Sequence, residues 1–357
     1  MTLFVRDARW NSWRWRPILE KWGHLPVFIN PNIPKTATFL IENGEPISTV
    51  FFVSVSLLPE NNPLLGRAFY AITTKHSVLG DVSIRFNLTG GGVRDEPTLQ
   101  GDWKPHPSTD LAILPLHFPL DEFDITWVDY SHIAEDRQYL VNWQKSADVT
   151  VRTHPFGVGD EVFTVGLFTA HTGKRQAQPV VRFGHIALTP AKGEKILAEI
   201  YEKPHELVPI DAFLVEISTW HGQSGSPVFL RPWIVDQRVI PKPWSELSFL
   251  IGMIQGTYFS EQAVKIDHQP AWVSGLNMGI GLVIPSYDIA EMLMSDELKQ
   301  QRDDQMMGKE QRPKVRPSAA SVRKEERPLT REVFEDALKR ASRKTSAPDE
   351  ETKGDEI

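Results

Sequence analysis

A serine lies among glycines in the stretch Trp220-His221-Gly222-Gln223-Ser224-Gly225-Ser226-Pro227-Val228-Phe229, just ahead of an apolar run. Glycines beside such a residue let the backbone turn so that its N–H groups point at one spot. N–H groups gathered in that way can stabilise the oxyanion of a tetrahedral intermediate. Serine is inert near neutral pH without a base to take its proton, so a histidine and an orienting carboxylate are expected elsewhere. Of the eleven histidines, His76 stands at the end of Phe69-Tyr70-Ala71-Ile72-Thr73-Thr74-Lys75, where an apolar strand turns polar and a side chain can face a cleft. Asp110 opens Leu111-Ala112-Ile113-Leu114 after a Gly- and Pro-rich loop over 90–109; Asp102, inside that loop, is its nearest rival and reads as a turn residue. The Gly-x-Ser-x-Gly elbow of α/β-hydrolases fails here, because the fifth residue of 222–226 is Ser226.

In this order the three stretches resemble the trypsin-like (chymotrypsin-fold) serine peptidases, in their disulfide-free bacterial form. Thr73-Thr74-Lys75-His76 is similar to the Thr-Ala-Ala-His of that family, Asp110–Leu114 to its aspartate followed by Leu/Ile-Ala-Leu/Val-Leu, and Gly222–Val228 to Gly-Asp/Asn-Ser-Gly-Gly-Pro-Val with two substitutions. Residues 158–162 and 183–186 look like opening strands of the family's second barrel, and 281–286 like its closing strand before a C-terminal helix. The resemblance implies that Ser224 attacks a peptide carbonyl, His76 acts as base and then acid, and Asp110 fixes the imidazole tautomer. It implies an oxyanion hole from the N–H groups of Gly222 and Ser224, and a substrate strand near Gln255 and Thr257. By the same resemblance Ser218 would floor the specificity pocket, with Thr257 and Gly281 as walls; a neutral floor favours neutral side chains over Arg or Lys. No cofactor and no metal are implied.

Three departures stand out. Lys75 replaces a small residue beside the histidine; pointing inward it would lower the imidazole pKa, and pointing away it would not. Ser226 replaces a glycine and needs room for a Cβ. Gln223 replaces the aspartate that pairs with a newly cleaved N-terminus in secreted zymogens, so activity without such processing is expected. His221 reads either as a residue of the pocket or cleft rim or as an exposed loop histidine. His106 and His117 flank the Asp110 strand and read as structural. The pair His205-Glu206 lacks the second histidine of His-Glu-x-x-His, and Gly90-Gly91-Gly92 lacks the Lys-Ser/Thr of a phosphate cradle.

Elements must hold these residues in place. Short β-branched and aromatic runs at 48–58, 68–74, 82–88, 111–116, 161–167, 180–188, 212–217, 227–229, 249–254 and 279–284 are separated by turn residues, a pattern of barrels and sandwiches. Helical spacing is confined to 287–294, with a weaker candidate at 195–201. The expectation is an all-β fold of two packed antiparallel six-stranded β-barrels over 36–295, with a break near 145–158 and a short C-terminal helix. A Trp- and Pro-rich arm precedes it at 1–35. A charged, largely disordered tail follows at 296–357, with one amphipathic island at 331–343 that suits a protein partner.

Composition narrows the classes. The 41% hydrophobic and 24% charged fractions are globular values, which sets aside a wholly disordered chain. Thirty-nine basic against 46 acidic residues leave a net charge of −7, which argues against nucleic-acid binding through an overall field. With no cysteine, a thiolate nucleophile, Fe–S clusters and cysteine-ligated zinc are excluded. No apolar run is long enough to span a bilayer and residues 1–17 offer no export-signal core, so a cytoplasmic location is expected. The functional expectation is a serine endopeptidase acting on protein or peptide substrates. The alternative is a catalytically silent domain of the same fold that binds peptides or serves as a scaffold, and Lys75 and Ser226 are the residues that favour it.

Overall fold

The structure, a computed structural model, describes residues 31–57, 66–117, 120–135, 156–173, 175–191, 193–200, 203–219, 221–231, 249–266 and 269–306. The chain divides into two units, Met1–Arg312 and Pro313–Ile357, and every described residue belongs to the first. Residues 1–30 of the arm, most of the expected inter-barrel break and the 331–343 island lie outside the described residues.

The first half is an antiparallel sheet with the strands β1 (Ala37–Glu42), β2 (Glu45–Ser56), β3 (Arg67–Thr73), β4 (Val82–Asn87), β5 (Val93–Thr98), β6 (Lys104–Pro105), β7 (Ala112–Leu116) and β8 (Val128–Asp129). Its order is β5-β4-β1-β2-β3-β7-β6, with β8 added in parallel on β2. It curls as a half-barrel and, among the described residues, does not close into the six-stranded barrel expected. The outer strand explains this: β5 reads Val-Arg-Asp-Glu-Pro-Thr, and its charges and Pro97 suit a solvent-facing edge rather than a central strand.

The second half closes as a six-stranded barrel in the order β10-β13-β16-β15-β14-β9. Its strands are β9 (Glu161–Gly166), β10 (Val180–Leu188), β13 (Phe213–Glu216), β14 (Pro227–Leu230), β15 (Phe249–Ile266) and β16 (Gln269–Pro285). Between β10 and β13, β11 (Ile196–Ile200) and β12 (Lys203–Ile210) form a separate hairpin. This overturns the helical expectation for 195–201. Ile196 and Ala198 alternate with exposed Leu197 and pack beside Ala212 and Leu282, a period of two rather than 3.6.

The middle of strand β2, Val50-Phe51-Phe52-Val53, is a continuous apolar run because both of its faces are buried. Val50 and Phe52 face a core inside the first sheet with Ile84, Phe86 and Leu114. Phe51, Val53 and Val55 face a second core shared with Phe163, Phe229, Met253 and Ile284 of the barrel. That shared core seats β2 directly against the second half, and the catalytic candidates lie along the seam. Two helices close the unit, α1 (Ser286–Leu293) and α2 (Asp296–Met306). The first is the short C-terminal helix expected; the second occupies the start of the stretch expected to be disordered. Its charge hides two anchors. Leu298 is buried, and the buried Arg302 guanidinium donates to the Leu293 carbonyl (2.7 Å) and the Tyr70 hydroxyl (3.0 Å).

Candidate active site

Asp110 and His76 meet because β3 and β7 pair, with Thr73 opposite Ala112. Beyond that pair the chain leaves β3 through an extended Thr74 into a single 3-10 turn over Lys75–Val78 that carries His76. Asp110 holds this turn at three points. Its carbonyl accepts the Lys75 N–H (3.2 Å), Oδ1 accepts the His76 N–H (2.9 Å), and Oδ2 lies 2.6 Å from His76 Nδ1. An ionised carboxylate can only accept, so the ring proton belongs on Nδ1 and Nε2 is left as an acceptor. The Asp110 side chain is 5% exposed and that of His76 21%, an arrangement with the carboxylate inside and the imidazole at the surface of the seam. Asp102, by contrast, spends its carboxylate on its own turn, accepting the Leu99 N–H at 3.0 Å.

The loop that presents Asp110 is built on a histidine. His106 Nδ1 accepts from the Thr109 hydroxyl (2.8 Å) and from the N–H groups of Thr109 (3.1 Å) and Ser108 (3.3 Å). Burial pushes the His106 pKa below its ordinary 6.5, Glu291 opposes that, and the Lys75 charge adds to it. A group with a depressed folded pKa contributes stability that is present above its unfolded pKa and is lost as pH falls. Stability is therefore expected to fall as pH drops below about 6.5, down through the lower folded value. Denaturant titrations at pH 7.5 and 5.5 should show a smaller pH dependence in His106→Asn than in the wild type; identical dependence would remove His106 from the account. His117 is exposed.

Ser224 is half-buried in a loop whose carbonyls are each held. Gly222 O accepts from Thr49 Oγ1 (3.0 Å), Gln223 O from the Ser226 N–H (3.0 Å), and Ser224 O from the Thr49 N–H (2.9 Å) and Ser48 Oγ (2.7 Å). The N–H groups of Gly222 and Ser224 donate to no group among the described residues. Gly222 has φ +91°, and a Cβ there would press into Leu167; Gly225 has φ +85°, and a Cβ would run into the Thr49 carbonyl. Both glycines are thus required by the turn and by close packing. Ser226 has its room because β9 offers Gly166, whose missing Cβ leaves the space that Ser226 Oγ fills. Ser224 and His76 are tied through hydroxyls, since Ser48 Oγ, bonded to Ser224 O, also accepts from Ser77 Oγ (2.8 Å), the neighbour of His76. The Gln223 amide is buried, and among the described residues neither of its polar atoms has a hydrogen-bond partner.

Next to this loop, Gly225 N–H donates to Ile254 O and Ile254 N–H to Ser226 O, both at 2.8 Å. Buried Gln255 follows at a bulge in β15, where pairing steps from Ile254–Val283 to Gly256–Leu282. Thr257 pairs with Gly281 across β15 and β16. Ser218, expected on the floor, is exposed and offers its carbonyl to Arg182 (2.9 Å). Thr219, the next residue, is fully buried, with its Oγ1 2.7 Å from Thr257 Oγ1 and its methyl against Gly281. Alternation along Phe213, Val215 and Ile217, all inward, would have found Thr219 in the sequence. His221 is exposed on the loop.

Among the described residues no group of three or more His, Asp or Glu side chains could hold a metal ion, and no helix is long and apolar enough to cross a membrane. A groove of about 850 Å³ between α1 and the 189–195 loop contains neither His76, Asp110 nor Ser224.

No family model and no curated protein matches the chain. Among solved structures it is similar to the inactive form of the Rv3671c protease, at 16% identity and a TM-score of 0.36, over 75% of this chain and 98% of that one. It is similar also to an inactive form of Rv3671c from M. tuberculosis H37Rv with a serine-to-alanine mutation, at 15% identity and a TM-score of 0.35, over 76% and 95%. What the site can do rests on its own geometry.

Proposed function

We propose that this chain is a serine endopeptidase of the trypsin-like type. The observation that carries the reading is the grip of Asp110 on both the backbone and the ring of His76, beside a serine loop in which the N–H groups of Gly222 and Ser224 donate to no group among the described residues. In the reaction, Ser224 Oγ bonds to a peptide carbonyl carbon while His76 Nε2 takes the hydroxyl proton. The carbonyl oxygen gains the negative charge and is met by the N–H groups of Gly222 and Ser224. Collapse breaks the C–N bond, and His76 returns its proton to the leaving amine. Water, deprotonated by the same imidazole, then cleaves the acyl ester and restores Ser224.

Thr219, Thr257 and Gly281 form an uncharged pocket wall, which supports neutral side chains at the residue before the cleaved bond. The silent-domain alternative drew on Lys75 and Ser226, and the space left by Gly166 answers the second of these. A fluorophosphonate probe should label the folded protein, with labelling abolished in Ser224→Ala, and an unbiased peptide library should be cleaved. Failure of the wild type to label sinks the peptidase reading; labelling without peptide cleavage would point to an esterase.

A further inference from the structure

The buried hydroxyls in the seam have a direction that their chemistry fixes. A hydroxyl carries one proton and two lone pairs. Thr49 Oγ1 accepts the Leu167 N–H (2.9 Å) and the Ser226 hydroxyl (3.1 Å), so its single proton goes to Gly222 O. A second chain ends on a carbonyl, which can only accept. Ser48 therefore donates to Ser224 O, Ser77 donates to Ser48, and Thr74 Oγ1, 2.7 Å from Ser77, must donate to Ser77. Thr49, Thr74 and Ser226 are fully buried, and Ser48 and Ser77 nearly so.

These chains end on the peptide units that matter for the reaction proposed above. The planar peptide between Gly222 and Gln223 lies between the two peptides that bear the oxyanion donors, so its orientation helps set where both N–H groups point. Thr49 Oγ1 fixes that orientation through Gly222 O. We infer that Thr49 is a positioning residue for the oxyanion hole, oriented by Ser226, and that the Thr74–Ser77–Ser48 chain registers the Ser224 backbone against the turn carrying His76. Ser226, a departure in the serine motif, thus becomes part of the device.

The inference rests on the serine peptidase reading, and the test separates the two. Fluorophosphonate titration of the full chain counts competent sites, and hydrolysis of p-nitrophenyl butyrate is then expressed per titrated site. Thr49→Val should lower kcat per site about tenfold to a hundredfold, short of or comparable to the loss of a direct donor, with KM little changed. Affinity for phenylboronic acid, whose adduct places a negative oxygen in the hole, should fall in parallel. Thr49→Ser, which restores the hydroxyl, should recover most of the loss. A role in folding alone would lower the titre and leave kcat per site and boronate affinity unchanged, which overturns the inference. Should Thr49→Val not fold, Ser226→Ala serves, with a several-fold fall in kcat and boronate affinity expected; no change there overturns it equally. An unlabelled wild type overturns the peptidase reading itself.

Discussion

Asp110→Asn should leave the fold intact and lower kcat by about 10⁴-fold. The amide can still accept the His76 N–H through its oxygen, so the 3-10 turn keeps its place. Its nitrogen would then face His76 Nδ1, where it can only donate. Nδ1 must become the acceptor, the ring proton moves to Nε2, and the nitrogen facing the nucleophile can no longer take a proton. The measurement is kcat with p-nitrophenyl butyrate alongside a thermal melt. A variant that keeps its melting temperature and its activity would remove Asp110 from the mechanism.

Gly225→Ala should disable the protein at the level of structure. The residue has φ +85°, which costs an L side chain about 1–2 kcal/mol. The new Cβ would collide with the Thr49 carbonyl and the Thr73 hydroxyl that donates to it, adding about 1–3 kcal/mol of overpacking. The sum, about 2–5 kcal/mol, should appear in denaturant titration, together with loss of fluorophosphonate labelling even in the fraction still folded. The Thr49 carbonyl cannot give way easily, because Thr49 lies within a central strand buried on both faces. Wild-type stability in this variant would show that the loop has another way to turn.

The catalytic candidates were legible because their chemistry forces rare local sequences: a serine among glycines, a histidine where an apolar strand ends, an aspartate where another begins. Strands such as β7, β9 and β14 are legible for the same reason as the middle of β2, since a segment buried on both faces reads as an apolar run. What escaped depends on partners distant in sequence. Ser48 and Thr49 look like a polar break in an apolar run, and only their meeting with residues 222–226 gives them a role. The open first sheet is signalled in the sequence only by the charges and Pro97 of its edge strand β5. Helix α2 looked like solvated tail because a helix tied down by one leucine and one arginine carries almost no apolar periodicity. Ser218 and Thr219 show how much one position matters: just past β13 the alternation continues, leaving Ser218 exposed and Thr219 buried.

The exchange of volume between Gly166 and Ser226 couples the two positions. A Cβ at 166 would meet Ser226 Oγ, so an alanine there requires that hydroxyl to move, while a glycine at 226 would leave its space empty. Substitutions at the two positions are therefore expected to be non-additive, the cost of each depending on the other. Because Ser226 Oγ also donates to Thr49 Oγ1, a change made at 166 for packing alone would reach the hydroxyl chain.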